Sequence, residues 1–260
     1  MNSRAGAPGG RWEFDPLAFS LVLEAHGRDR WPYPLSWQPE FAETAEVHRG
    51  RRNAAARELR RWYDREVHAA VGVLLEPQVR VEIEGIHGPG QTEVVRVFAG
   101  LAGDRCVLAT QEPGPDREYG GRVTLSAIDP ESLPARIVAH LPRVPGGRTP
   151  RFEGRRADLD LPVHSRHPTR LSPVEQLQRF FRRPRVGTGE ITVYPGFQVD
   201  ARPSTDGRAF LWLDYPDDGR YLLQHHDAQE FTVIPGPPAE LQHRIASHIA
   251  LFGSRLSRAY

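Results

Sequence analysis

The 260-residue chain has no lysine: all 34 of its basic residues are arginine. That absence removes the phosphate-loop lysine, the Schiff-base lysine and the Ser–Lys dyad together. Cysteine is almost missing as well. Cys106 stands alone, so no intrachain disulfide can form, and its place in the apolar run CVLA reads as a buried, inert strand residue and not a nucleophile. Excess charge of one sign is missing too: 34 basic residues face 33 acidic ones and the net charge is +1, so the molecule is not a polycation. No run approaches the roughly 18 apolar residues that a membrane span requires. The start, MNSRAGAPGGRWEF, lacks an apolar signal core, so a cytoplasmic location is the expectation.

What the chain does contain is a repeat. Residues 123–141 read VTLSAIDPESLPARIVAHL and residues 231–249 read FTVIPGPPAELQHRIASHI. At an offset of 108 positions (232 − 124), Thr124/Thr232, Pro130/Pro238, Leu133/Leu241, Arg136/Arg244, Ile137/Ile245 and His140/His248 coincide. An ungapped match of this kind predicts a duplicated strand–turn–helix unit. A hydrophobic content of 39% and a charged content of 26% suit a globular protein able to bury a sizeable core.

The rest of the chain fits two copies. Residues 1–11 are Gly/Ala/Pro-rich and predicted to be disordered. Asp15 reads as an N-cap with Pro16 at the first helical position, followed by Leu17, Leu21 and Val22. A second helix is expected from Thr44, with Val47, Ala54, Leu59 and Trp62 as its apolar stripe, and a third over REVHAAVGVLLE. From Val79 the period becomes two, and VRVEIEGI, EVVRVFAGL, RCVLAT and RVTLSAI predict an antiparallel meander closed by the first repeat helix. Residues 142–170, rich in Pro, Gly and Arg, read as a linker. Ser172, Pro173 and Glu175 form a capping-box start, and strands recur in GEITVYPGFQVDA, AFLWLDY, RYLLQ and EFTVI before the second repeat helix. The expectation is therefore an N-terminal half over 12–141, a linker over 142–170 and a C-terminal half over 171–260. The hairpin arginines Arg105 and Arg220 are 115 apart, so the copies differ in their loops.

Candidate chemistry is sparse. His225, His226 and Asp227 are adjacent, and His243 and His248 are five apart, which places their rings on different sides of a helix. His164 and His167 fall in the linker. These read as surface or hairpin histidines, and Asp214, Asp217 and Asp218 as turn carboxylates making local bonds. The glycine loops at 85–90 and at Gly120–Gly121 do not open a helix after a strand, so they read as turns. Arg49, Arg51, Arg52, Arg57, Arg60 and Arg61, then Arg182, Arg183 and Arg185, lie near Trp62, Phe180 and Phe181. Nucleic-acid binding is the alternative function they suggest, while Glu58, Asp64 and Glu66 among them favour an ordinary charged face. Phe210, Leu211, Trp212 and Leu213 are contiguous, so a strand there puts large side chains on both faces, and a face left uncovered would be a partner site.

The ordered set FDPLAF, LEAHGRDRWPYPL, WLDYPDDGRYLL and FTVIP resembles the EspG family of actinobacterial type VII (ESX) secretion-associated proteins. The resemblance rests on Pro32, Pro34 and Leu35 early in the chain and on Asp214, Gly219, Arg220 and Tyr221 late in it, over roughly residues 12–250. It implies an α+β fold, a quasi-twofold central antiparallel sheet flanked by helical bundles. It also implies a cytosolic chaperone, not an enzyme, with no cofactor or metal, that binds an apolar helical tip of PE/PPE-like clients through the sheet and the C-terminal bundle. Phe180, Phe181, Phe197, Phe210 and Trp212 are the expected partner-binding residues, chosen for the excess of large apolar groups in the second half.

Overall fold

The structure, a computed structural model, describes residues 10–39, 41–114, 116–162, 171–198 and 205–256. The predicted disorder of residues 1–9 lies outside that range, and residue 11 already belongs to a strand. Strand β1 (Arg11–Phe14) runs into helix α1 (Pro16–Ala25) through Asp15, whose carboxylate accepts from the Leu17 amide at 3.0 Å. Helices α2 (Ala45–Leu59) and α3 (Arg65–Leu75) follow, with Thr44 and Asp64 as N-caps accepting from orphan amides of the first turn. The first meander is β2 (Val79–His87), β3 (Glu93–Ala102), β4 (Arg105–Pro113) and β5 (Gly120–Ile128), closed by α4 (Leu133–Ala139). Then come β6 (Phe152–Arg155), α5 (Arg156–Asp160) and α6 (Pro173–Arg182), the last opened by a complete Ser172/Glu175 capping box. Strands β7 (Gly187–Pro195), β8 (Arg208–Tyr215), β9 (Gly219–His225) and β10 (Glu230–Pro235) form the second meander, and α7 (Pro238–Leu256) follows it.

All ten strands join one antiparallel sheet in the order β1-β5-β4-β3-β2-β7-β8-β9-β10-β6. The two meanders meet at β2 and β7, which pair along their whole length. The 108-residue offset carries both ends of β2 onto those of β7, and Asp64, the cap of α3, onto Ser172, the cap of α6. Ile83 and Ile191 are offset by the same 108 and lie opposite each other in register, so the pseudo-twofold axis passes between them. The duplication thus reaches well beyond the strand–helix match, back to the helix before each meander.

One face of the sheet carries α4 and α7, which touch each other across the axis. A core runs continuously beneath them, from Val79, Val81 and Ile83 through Ile191, Val193, Phe210 and Trp212 to Leu133, Ile137, Leu241 and Ile245. The identical repeat pairs Leu133/Leu241 and Ile137/Ile245 are therefore packing positions, whereas Arg136 and His140 are exposed. The other face is covered in two separate pieces. Helices α1 and α3 bury Phe19, Val22, Val67, Val71 and Leu74 over the first meander, and α6 buries Leu177 and Phe180 over the second.

Three expectations need correction. Residues 142–170 are not wholly linker: β6 pairs with the edge of β10, α5 follows, and Gly146 bridges to Arg220; His164 and His167 lie outside the described residues. Strand β6 is only four residues long, an edge strand whose alternation of half-buried and exposed positions rests on Phe152 alone for bulk. Strand β1 is likewise short and edge-placed, and was not expected. Helix α2 forms, but its expected stripe is not buried: Leu59 alone is, and Val47 is exposed.

The contiguous Phe210–Leu213 run is covered on both faces. Phe210 and Trp212 are fully buried beneath α7, and Leu213 sits in the α6 core. Trp212 lies flat against the two central strands because Gly85 and Gly189 leave it room; a Cβ at either would collide with its ring. Truncating Phe210 or Trp212 to alanine should cost about 3–5 kcal/mol of folding stability, as for other buried aromatics. Chemical denaturation of each variant would measure this, and a loss under about 1 kcal/mol would contradict the core placement.

Candidate partner-binding surfaces

The residues that carry the sequence resemblance come together as a structural knot. Arg220, buried beside Trp212, donates to both oxygens of the equally buried Asp214, at 2.7 Å each, and to the Pro142 carbonyl at 3.0 Å. Gly219 (φ 141°) lets the hairpin pass close under residues 145–146, where a Cβ would meet the Pro145 carbonyl. The Tyr221 hydroxyl donates to Asp218 at 2.6 Å and accepts from the Thr149 amide at 2.8 Å. The late motif thus ties residues 142–149 onto the second meander. Pro32–Leu35 has a similar role in the first half: Leu35 is buried, and Tyr33 donates its hydroxyl to Glu84 at 2.6 Å.

The remaining polar candidates are also structural. Asp214 sits at the turn end of the β8–β9 hairpin, whereas His225 and His226 sit at the far end of β9. The His226 ring bonds the Thr232 hydroxyl, and Asp227 accepts from the Gln229 and Glu230 amides in its turn. His248 packs edge-on against Phe210. Among the described residues no group of three or more His, Cys, Asp or Glu is placed to hold a metal ion. Burial pushes the Cys106 thiol up to about 12, as befits an inert core sulfur.

The five expected partner-binding residues do not form one patch. Phe210 and Trp212 belong to the core under α7. Phe180 is buried among Phe152, Tyr215 and Tyr221, and Phe181 packs edge-on against Phe231. Phe197 alone is well exposed, at 45%, with the Arg28 guanidinium 5.6 Å from its ring centre. Among the described residues two surfaces stand out. One is a groove of about 560 Å³ between β6 and α6, floored by Phe152, Leu177 and Phe180. The other is the strip of sheet over β2 and β7, between the two covered pieces of the second face. There Glu84 and Glu190 stand opposite each other in register, with Tyr33 and Phe197 at one end and Val186, just before β7, at the other. Sequence reasoning missed Tyr33, Val186 and both glutamates. The signal for the glutamates was present, as charged residues in the two strands that the repeat offset puts at the centre.

Electrostatics tie the knot to acid stability. Burial alone would raise the Asp218 carboxyl, but the Tyr221 hydroxyl, the Arg148 amide and the Arg183 guanidinium outweigh it and hold it down at about 2, from an ordinary 3.8. A depressed folded-state value contributes stability that is present above the unfolded value and is lost as pH falls through the folded one. Unfolding midpoints between about pH 4 and pH 2 should therefore fall less steeply for Asp218→Asn than for the wild type. Asp214→Asn leaves Arg220 charged, buried and unpaired, which should cost about 3–5 kcal/mol at neutral pH; equal denaturation midpoints for wild type and variant would overturn that assignment.

Comparison with known proteins agrees with this architecture. No curated protein matches the sequence significantly. Among solved structures, the Mycobacterium tuberculosis type VII secretion system chaperone EspG5, determined in complex with a PE25–PPE41 dimer, superposes with a TM-score of 0.57 at 11% identity. The match covers 92% of this chain and 95% of that one, so the two share a fold. The sequence model of the EspG family matches residues 15–247 of this chain, which therefore belongs to the EspG family.

Proposed function

We propose that this protein is a cytosolic type VII secretion chaperone that binds the apolar helical tip of a PE/PPE-like client and keeps it soluble for export, without catalysing a reaction. The carrying observation is the family match over residues 15–247, on a frame like that of a chaperone solved with a PE–PPE dimer in hand. The polar chemistry supports the same reading. The conspicuous charged clusters, Asp214–Arg220 and Asp218–Tyr221–Arg183, are consumed in holding the hairpin and residues 142–149 in place. No helix among the described residues is long and apolar enough to cross a membrane.

A client is an extended helical object whose tip needs an apolar resting place flanked by polar groups that fix its orientation. The strip over β2 and β7 supplies the polar groups, chiefly Glu84 and Glu190, and the exposed Tyr33, Phe197 and Val186 beside it supply the apolar contact. The nucleic-acid alternative has less to stand on: Arg52 is paired with Glu24 and Arg61 with Glu58, so the arginine-rich segment of α2 and the turn after it is partly neutralised.

Co-expression with a PE/PPE-like heterodimer, followed by affinity capture and light scattering, tests the proposal. The expected result is a soluble stoichiometric complex and a client that precipitates when expressed without the chaperone. A client equally soluble alone, with no complex formed, would remove the function.

A further inference from the structure

The centre of the second sheet face breaks a rule of strand pairing. Glu84 on β2 and Glu190 on β7 are register partners, and like charges directly opposite on neighbouring strands are destabilising. Glu84 accepts from the Tyr33 hydroxyl at 2.6 Å and Glu190 from the Thr192 hydroxyl at 2.7 Å. Among the described residues neither has an arginine within ion-pair distance, but Glu84 has the Arg96 charge opposite it on β3, so Glu190 is the carboxylate left without a neighbouring cation. Glu82, two positions from Glu84, is different: it is buried and held by Arg80 at 2.6 Å and by Gln198 at 2.6 Å.

The repeat makes the contrast sharper. Glu82 and Glu190 are equivalent at the 108-residue offset, but the equivalent of Arg80 is Thr188. The first copy has a carboxylate with its counter-charge; the second keeps the carboxylate and lacks the arginine. Glu190 is also exposed, on the part of the sheet face that neither bundle covers. Beside Glu84 in register lies Arg96, whose buried side chain spends one terminal nitrogen on the Arg117 and Glu118 carbonyls and keeps its Nε–H without a partner. Tyr33, Phe197 and Val186, exposed by 49%, 45% and 37%, flank this strip.

We infer that the strip over β2 and β7 is a docking trough for a helical tip that carries a basic side chain, which sits between Glu84 and Glu190 while its apolar neighbours rest on Tyr33, Phe197 and Val186. The inference rests on the chaperone reading and adds to it the chemistry by which a client is chosen. A local conflict of charge is tolerated where a ligand resolves it. A helical tip can present the cation that the exposed Glu190 carboxylate lacks. The basic group fixes orientation and discriminates among clients, since a tip with an acidic residue there would meet two carboxylates.

The test uses the full chain with a co-purifying PE/PPE-like heterodimer whose tip bears an arginine or lysine. If the wild-type protein captures no such client, the chaperone reading itself fails, separately from the trough. If it does, Glu84→Gln/Glu190→Gln should weaken binding by about tenfold and flatten its salt dependence, while the thermal unfolding midpoint holds or rises because the like-charge pair is gone. Replacing the client's basic residue with glutamate should abolish binding to the wild type, and Glu84→Lys/Glu190→Lys should restore it. Unchanged affinity and salt slope in the glutamine variant would overturn the inference. So would a change in self-association with client binding intact, which would make the trough a contact between copies. Should the lysine variant fail to fold, the glutamine variant decides alone.

Discussion

Everything in this molecule hangs on the antiparallel pairing of β2 with β7. Each meander alone would be a small sheet with two exposed edges and one poorly covered face. Joining them at equivalent strands removes one edge from each and pushes the remaining edges to β1 and β6, both only four residues long. An antiparallel pair is the arrangement in which two copies of one strand can meet across a twofold axis, and Ile83 and Ile191 mark where the axis falls. The same operation brings α4 and α7 together, so Leu133, Ile137, Leu241 and Ile245 seal one core that neither half could close by itself.

That constraint gives the motif residues of the resemblance a structural task. Arg220 with Asp214, Gly219 under residue 145 and Tyr221 with Asp218 fasten residues 142–149 across the hairpin. The chain between the halves must cross from α4 to the far edge at β6, and this knot fixes its path. A buried arginine–carboxylate pair adds specificity of geometry more than net stability.

Much of the frame was legible in the sequence because its signals are local. N-caps at Asp15 and Ser172, the helix start at Thr44, the period-two runs and the repeat offset each depend on neighbours in the chain. What was missed depends on distant partners. Strands β1 and β6 exist because β5 and β10 offer edges, and four residues carry too little pattern to announce that. Phe210 and Trp212 were expected at a partner surface because a contiguous apolar run puts bulk on both faces. The count of helices decided otherwise, since α7 covers one face and α6 the other. Gly85 and Gly189 held the clue: glycines inside two central strands signal a large side chain lying close against them.

The two copies stop agreeing on the second face of the sheet. Symmetric packing uses up Leu133, Ile137, Leu241 and Ile245, while on the second face the strip between the two bundles buries Glu82 and Thr192 but leaves Glu190 exposed. Along that strip the copies diverge in charge: Arg80 answers Glu82 in one, and Thr188 stands where the arginine would answer Glu190 in the other. A duplicated scaffold binding an asymmetric client has to lose its symmetry at the contact, and the cheapest way is to delete a counter-charge while keeping the backbone pairing. The strand register is untouched by such a change, so the frame keeps its stability and the difference appears only as unbalanced charge at the centre of the sheet.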